Sequence, residues 1–559
     1  MATETSTGGG PNAAGGPPPT PALKHSPWIV LFALCLGFFM ILLDTTIVNI
    51  AIPDIIDRLG ASLDQILWIL NAYILVYAVL LITAGRLGDL FGPKRLFLVG
   101  LVIFTAASVA CAFAQDPTQL IVFRVVQGFG GALLTPQTLS VITTIFPADK
   151  RGAAFGIWGA VAGVATVAGP TLGGWLVTDY GWKWIFLVNL PVGVFALILA
   201  WIVMPDLRLN RRHQLDVLGT VLVSIGLFLL CYGLIEGQPH KWGKAWGPVT
   251  IPQILIAAAV VLALFMFQQY KQRDGEPLIP FSIFADRNFS LMNWVVSAIS
   301  FGMLGLFLPL VIYLQSVLGL TALQAGLTTA PMSLVSMFIA PVAGRLADKM
   351  GGKFILFGGL TLWVGGLSLV VWSAQVDSHR ADLLPGLLIA GVGLGCTFAP
   401  LQTIAMRNVA PQVAGAASGF INTTRQLGAV IGSAAVGALL QGLLSDQLTA
   451  KATANAAALP EAFRGRFVEG FAQAGSRGLE VGAGQSGAKM PPGTPQNVID
   501  LALKTFHEAY VAAMKSTMLL PLIVLAVATL SVLLVRRRVQ SAAVPGQARP
   551  TDTPAVVEV

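Results

Sequence analysis

Long apolar runs separated by short polar segments recur fourteen times along the chain. A membrane-crossing helix needs about 20 mostly apolar residues. The runs predict spans at 28–50, 66–85, 95–115, 118–145, 152–178, 183–204, 215–236, 249–270, 290–317, 323–347, 353–374, 383–407, 413–442 and 512–535. We number these spans 1 to 14. The stretch before them, 1–27, is rich in Gly, Pro, Thr and Ala, and 536–559 reads the same way. Both are expected to be disordered tails. The longest connection is 443–511. Within it Phe463, Phe467 and Phe471 stand at spacing four, which suggests a short amphipathic helix lying on the membrane or on the bundle. The rest of that connection reads as a loose loop, with a lid over the mouth of the bundle as the alternative.

Composition supports the pattern. Of 559 residues, 55% are apolar and 11% charged, where a soluble chain carries about 25% charge. The fold class is an all-α polytopic membrane protein. The four cysteines, Cys35, Cys111, Cys231 and Cys396, all fall in apolar runs, and no metal-ligand spacing exists. The formal charge of +8 raises the question of nucleic acid. Placing the loops answers it. With the N-terminus inside, the inner segments hold twenty Lys and Arg and the short outer loops five. That asymmetry predicts both termini in the cytoplasm, in a multi-pass cell-membrane protein. Most of the basic excess is then a topology signal, and no nucleic-acid partner is called for.

One charged phrase occurs twice. Residues 85–95 read GRLGDLFGPKR and 344–353 read GRLADKMGGK. The first lies between spans 2 and 3 and the second between spans 10 and 11. A plain six-plus-six repeat would put the second copy between spans 8 and 9. Two extra spans therefore sit between parallel halves, and 215–270 is the natural insert. The expected division is 28–204, 215–270 and 290–535, with the long connection 443–511 inside the last. Parallel halves around a site near the bilayer midplane are one transporter plan.

The phrase resembles the signature between spans 2 and 3 of the major facilitator superfamily, with its echo in the second half. Fourteen spans narrow the resemblance to the drug:proton antiporters with 14 spanners, the EmrB/QacA subfamily. LDTTIVNIAIPDI at 43–55, RVVQGFGGALLTP at 124–136, GVATVAGPTLGGWL at 163–176, WKWIFLVNLPVG at 182–193 and NTTRQLGAVIG at 422–432 are similar to further signatures of that family. The resemblance implies the major facilitator fold: two six-helix bundles in parallel repeat plus two inserted helices.

Ionisable groups deep in the spans are costly and functional by default. Three stand out: Asp44, Arg124 and Arg425. Asp44 lies about 12 Å and Arg124 about 9 Å below the outer boundary, so they match in depth. The resemblance implies that spans 1 and 4 both line the cavity, which allows a direct or water-linked contact. Burial disfavours an ionised carboxylate and a nearby guanidinium favours it. A cavity that opens and closes can switch between the two, as proton coupling requires. The alternative is a static ion pair. Arginine stays charged, so the carrier would be Asp44.

Arg425 falls near mid-membrane, with Asn422 one turn before it and Gln426 beside it. It is either a polar wall of the cavity or an arginine bonded to carbonyls of a neighbour. Further lining candidates are Trp68, Asn71, Tyr73, Gln127, Asn293, Trp294, Tyr313, Gln315, Gln402 and Met406. Each alone is more often a helix-helix contact or an interfacial aromatic, and together they would give a broad, mostly apolar pocket. Gln127 is also placed to bond Asp44 or Arg124. Some relatives carry extra acids in spans 10 and 13 linked to cationic substrates. This chain has none before Asp348, which favours neutral, zwitterionic or weakly acidic amphiphiles over dications.

In span 5, Gly159 and Gly163, and Gly169 and Gly173, stand four apart, a spacing that lets helices approach closely. Pro170 permits a bend. The resemblance associates Gly169, Pro170, Gly173 and Gly174 with export. It also implies a cytoplasmic gate of Gly85, Arg86, Asp89, Lys94 and Arg95, with Arg345 and Asp348 in the second half. There Asp89 would meet helix N-termini or basic residues, and Asp348 would do so more weakly, Lys349 following it. The alternative is a topology anchor alone.

No phosphate-binding GxxxxGK[ST] and no HExxH occurs, and no enzyme or ATP-driven pump is expected. The resulting expectation is a proton-coupled antiporter exporting amphipathic drugs or antibiotics, acting as a monomer. It needs no cofactor beyond the proton gradient. The alternative is a dedicated exporter of one endogenous metabolite or lipid.

Overall fold

A computed structural model describes residues 24–61, 63–147, 149–207, 216–237, 240–272, 277–459, 461–477 and 496–536. Fourteen helices among them are long and apolar enough to cross a membrane. They are Pro27–Ala51, Gln65–Phe91, Pro93–Ala112, Pro117–Ile145, Arg151–Tyr180, Trp184–Val203, Val217–Gly237, Ile251–Lys271, Arg287–Val317, Leu323–Met350, Gly352–Ser373, Arg380–Met406, Ala414–Ala458 and Gln496–Val532. The protein is a multi-pass membrane protein.

Local chemistry sets many of the ends. Spans 1, 3 and 4 begin with proline in the first turn, where the missing N–H costs nothing. The Asp116 side chain caps span 4 by accepting the Gln119 N–H at 2.9 Å. Thr321 and Gln324 form a reciprocal capping box on span 10. The repeated phrase turns on glycine in both copies. Gly92 has φ 89° and Gly351 has φ 82°, a backbone conformation that side chains disfavour. Each glycine makes the tight turn that sends the next span back across the membrane.

Spans 1–6 and 9–14 form two bundles, and spans 7 and 8 pack on each other beside span 2. Lipid is as apolar as leucine, so close backbone packing must hold the bundles together. Small residues supply it. A methyl group on Gly130 would strike the backbone of Phe104, and one on Gly366 the backbone of Ala390. The inserted pair is tied at one end by Asp216, which accepts from Gly219 N at 2.8 Å and from Gln268 Nε2 at 3.0 Å. At its other end a small hairpin pairs Lys244–Trp246 with Val249–Thr250.

Several elements depart from the sequence reading. Span 1 ends in a 3₁₀ turn, Val48–Ala51, and continues into a short helix, Ile52–Leu59. Span 9 ends in a π turn, Tyr313–Val317. Span 12 breaks between Gly395 and Phe398. The largest correction concerns the connection 443–511, expected as a loose loop. Span 13 runs on as helix to Asn455, and the helix of span 14 already begins at Gln496. Between them stands a further helix, Glu461–Arg477; the loop residues 478–495 lie outside the described residues. Leu444, Leu448 and Ala452, at spacing four, are buried on the extended span 13. Asn455 Nδ2 donates to Thr505 Oγ1 at 3.0 Å and to Glu508 Oε2 at 3.2 Å. Phe467 packs with Ala452, Leu459 and Ala502. The amphipathic helix therefore rests on the protruding ends of spans 13 and 14. The tails 1–23 and 537–559 also lie outside the described residues.

Candidate functional site

Asp44, Arg124 and Gln127 form one buried cluster, none more than 1% exposed. Arg124 Nη1 donates to Asp44 Oδ2 in a short ion pair, and Gln127 Nε2 donates to Asp44 Oδ1 at 2.8 Å. Arg124 Nη1 also reaches Gln127 Oε1 at 2.8 Å, which closes a ring of three side chains. A second tier fixes the guanidinium. Arg124 Nε donates to the Ile69 carbonyl at 3.1 Å, and Cζ stands 4.3 Å above the Tyr73 ring. Both carboxylate oxygens act as acceptors.

The phase of span 4 puts this cluster inside the first bundle. Arg124 and Gln127 share one face. Val122, Val125, Val126 and Phe129 lie on the opposite face and are exposed. Pro136, seven residues after Phe129, is on that same opposite face, and its carbonyl accepts from Ser418 Oγ of span 13 at 2.8 Å. That face looks toward the second bundle. The direct contact between Asp44 and Arg124 lies on the buried side of span 4, away from its exposed apolar face. The 100° step per residue contains this distinction in the sequence.

The two bundles lock at the end where the repeated phrases lie, here called the basic end. Asp89 accepts from Gly415 N and Ala416 N, both at 2.8 Å, in the first turn of span 13. Asp348 accepts from Gly152 N at 2.7 Å and Ala153 N at 2.9 Å, in the first turn of span 5. Each carboxylate thus holds the positive end of a helix in the opposite bundle. The lysines repeat as well. Lys94 donates to the Trp201 and Met204 carbonyls at the end of span 6 (2.8 and 2.7 Å). Lys353 donates to the Leu533 and Val535 carbonyls at the end of span 14 (2.6 and 2.9 Å). The copies differ at arginine: Arg86 is buried, while Arg345 is exposed, as is Arg95. A Cβ on Gly85 would collide with the Gly415 carbonyl.

Span 5 divides its glycines between two neighbours. Gly156 and Gly163 lie on the Ala340 and Ser333 carbonyls of span 10, while Gly169 and Gly173 abut Thr46 and Ile47 of span 1. Gly174 faces open space, and the side chain of Pro170 lies outside those described. Contacts between the bundles run from Gly152 to Gly163 on span 5 and from Gly85 to Leu81 on span 2. Beyond that level Asn71, Thr45, Thr46, Arg425 and Gln426 are half-buried and Asn49 is exposed. The bundles meet at the basic end and leave polar groups uncovered farther along.

The remaining lining candidates separate into two groups. Asn71, Gln315, Arg425 and Gln426 are half-buried, and so is Trp68, whose ring leans on Tyr232 of span 7 at 5.9 Å. Six others are spent within the bundles. Tyr73 lies under Arg124. Tyr313 donates to the Gln375 carbonyl at 2.6 Å. Asn293 is buried, donates to the Phe289 carbonyl and accepts from Thr424 Oγ1. Asn422 donates to the Ser418 carbonyl at 2.9 Å, and Gln402 and Met406 are buried. Trp294 is a different correction: it is 46% exposed and donates to Ser531 Oγ of span 14, so it sits between spans 9 and 14. Most polar groups of a bundle find partners inside it, although among the described residues the Tyr73 hydroxyl and Gln402 Oε1 do not, and the bare sequence does not show which do. Sequence reasoning expected Asp89 and Asp348 to meet helix N-termini or basic residues but did not name the N–H groups at 152–153 and 415–416, because backbone donors have no sequence mark. It also missed the apolar wall of span 4.

Comparison with known proteins places this architecture. The sequence profile of the Major Facilitator Superfamily matches residues 34–433. The chain belongs to that superfamily and is a membrane transporter. It is 40% identical over 458 residues to an uncharacterised transporter of the same type from Mycobacterium tuberculosis, covering 80% of this chain and 78% of the relative. It is 36% identical to a probable actinorhodin transporter of Streptomyces coelicolor (79% and 77% covered). It is 34% identical to the multidrug resistance protein Stp of M. tuberculosis (76% and 78% covered). Among solved structures, the human organic anion transporter MFSD10 shares the fold at TM-score 0.56 and 13% identity, over 90% of this chain and 100% of that one.

Proposed function

We propose that this transporter exports small amphipathic molecules from the cytoplasm, driven by protons entering through Asp44. The observation that carries the proposal is the sealed ring of Asp44, Arg124 and Gln127. A scaffold has no need of a carboxylate buried at this depth, since taking a charge out of water costs several kcal/mol. A coupling device needs a group with two stable arrangements, and in this reading the ring takes two. In the ionised one, Asp44 holds Arg124 and Gln127. In the protonated one, it releases one of them, and Arg124 keeps the Ile69 carbonyl and the Tyr73 ring. Because span 1 packs on span 5 through Thr46 and Gly169, a shift at Asp44 is carried to the helix that closes the basic end.

In this reading the basic end is cytoplasmic, because Lys and Arg accumulate there. Asp89 and Asp348 latch it shut while the far end admits the outer solution. Protonation of Asp44 from outside is then the step that precedes reopening inward. Export agrees with the names of the relatives, two of which are a probable actinorhodin transporter and a multidrug resistance protein. The single-product name of the first also supports a narrower reading, a dedicated exporter of one metabolite.

The test uses purified protein in liposomes with an imposed pH gradient and a fluorescent amphipathic dye. Wild type moves the dye against its gradient in proportion to ΔpH. Asp44→Asn binds dye but shows no dependence on ΔpH. Unchanged dependence in that variant would defeat the assignment.

A further inference from the structure

Arg425 remains without a partner after every other deep charge has been placed. No hydrogen bond or ion pair to it occurs among the described residues, and its Nε is shielded from solvent yet meets no acceptor. The residue as a whole is half-buried, so part of it remains open. Its direction follows from span 13. Ser418, seven residues earlier and so on the same face, touches the Pro136 carbonyl of span 4. Gly428 and Gly432 turn another face to span 9, against Ser297 and Phe301. Arg425 therefore points toward the opposite bundle, about 10 Å beyond the closed contact.

Across from it at that level is the exposed apolar face of span 4, with Val125, Val126 and Phe129. The deep carboxylate nearest in kind, Asp44, lies behind span 4 and is fully engaged. Among the described residues the other buried acids are also committed, and so is the half-buried Asp348. Asp89 and Asp348 hold helix ends, Asp216 ties the inserted pair, and Glu236 meets His240 on span 7. An arginine held in a membrane interior with an unmet donor is costly. A ligand that brings an acceptor removes that cost.

From this we infer that Arg425 is the anchor for an acidic headgroup of the transported molecule, and that the substrate class is an organic anion with an aromatic or aliphatic body. The planar guanidinium takes a carboxylate, sulfonate or enolate through two parallel N–H bonds. The body lies on Phe129 and the valines of span 4. Gln426 and Asn71, both half-buried, offer neutral donors beside the head. This inference rests on the transport reading and names the chemistry of its cargo.

Two probes of equal size test it: dansylglycine, an acid, and dansylglycinamide, its neutral amide. Binding is read by fluorescence on the full-length protein in nanodiscs made of neutral lipid. Wild type is expected to prefer the acid by about tenfold or more, the effect of one charge-assisted bidentate contact. Arg425→Gln loses that preference. Arg425→Lys keeps a reduced preference, because the charge remains and the fork is lost. If the glutamine variant is not monodisperse, the lysine variant decides through its reduced ratio. Absence of an acid preference in wild type, or an unchanged preference in both variants, overturns the inference. ΔpH-driven efflux of both probes by wild type is measured in parallel. Absence of efflux for both defeats the transport reading, whereas a missing acid preference with intact efflux of either probe defeats only the anion anchor.

Discussion

The two latches are alike in design and unequal in burial, and their inequality yields a quantitative expectation. Asp89 is 9% exposed and holds two N–H groups at 2.8 Å. Asp89→Asn keeps the shape and removes the charge. One side-chain oxygen still accepts an N–H, but the amide nitrogen now faces the other, donor against donor. Losing a charge-assisted bond costs about 1.5–3 kcal/mol, and leaving a buried donor unmet adds about 1–3 kcal/mol. A net of about 3 kcal/mol raises the ratio of open to closed basic ends roughly 100-fold. Asp348 makes the same two bonds at 2.7 and 2.9 Å but is half-exposed. Water replaces what Asp348→Asn loses, so about 1 kcal/mol and a roughly fivefold change are expected. Spin labels at Phe91→Cys and Met350→Cys, both exposed and in opposite bundles, report the two populations by pulsed EPR on a cysteine-free background. An Asp348→Asn shift equal to or larger than that of Asp89→Asn refutes the reasoning from burial.

The other predictions follow from single contacts. Gly344→Ala places a methyl against the Gly152 carbonyl across the bundle interface; the basic end should no longer close, and the same spin-label pair should report only the long distance. Lys353→Met removes two bonds to the last carbonyls of span 14; about 1–3 kcal/mol is lost, seen as a lowered melting temperature in detergent, with the Lys94→Met variant losing a similar amount at span 6.

The amount of fold legible in the sequence tracks the physics of the bilayer. Apolar length is a strong requirement there, so all fourteen spans were readable, with ends displaced by a few residues. The repeat was equally readable because Gly92 and Gly351 make the same turn and Lys94 and Lys353 make the same bonds. The extensions of spans 13 and 14 were not. Outside the membrane a helix needs only a stripe such as Leu444, Leu448 and Ala452, and Ala-rich polar sequence around that stripe resembles a loop.

The site was legible to the extent that cost marks it. Asp44 and Arg124 were conspicuous because charge in a span is expensive, and Gln127 followed from its position one turn from Arg124. The neutral polar candidates carried no such mark. Tyr313, Asn293 and Asn422 have the same composition whether they face a cavity or a neighbouring carbonyl. Trp294 was misplaced for a related reason: an aromatic at that depth fits a cleft between spans 9 and 14 as well as it fits a pocket. Span 4 held more information than its composition showed. Its residues 122–136 divide into a polar buried face and an apolar open one, and only the helical phase separates the two.

The central claim is that the proton travels on Asp44, and substrate-induced proton movement tests it most directly. Liposomes containing the transporter and a trapped pH-sensitive dye are given an outward-exported amphiphile with no imposed gradient. Wild type should move protons opposite to the amphiphile, and Asp44→Asn should move none while still binding the amphiphile. Proton movement of undiminished size in Asp44→Asn would contradict the account.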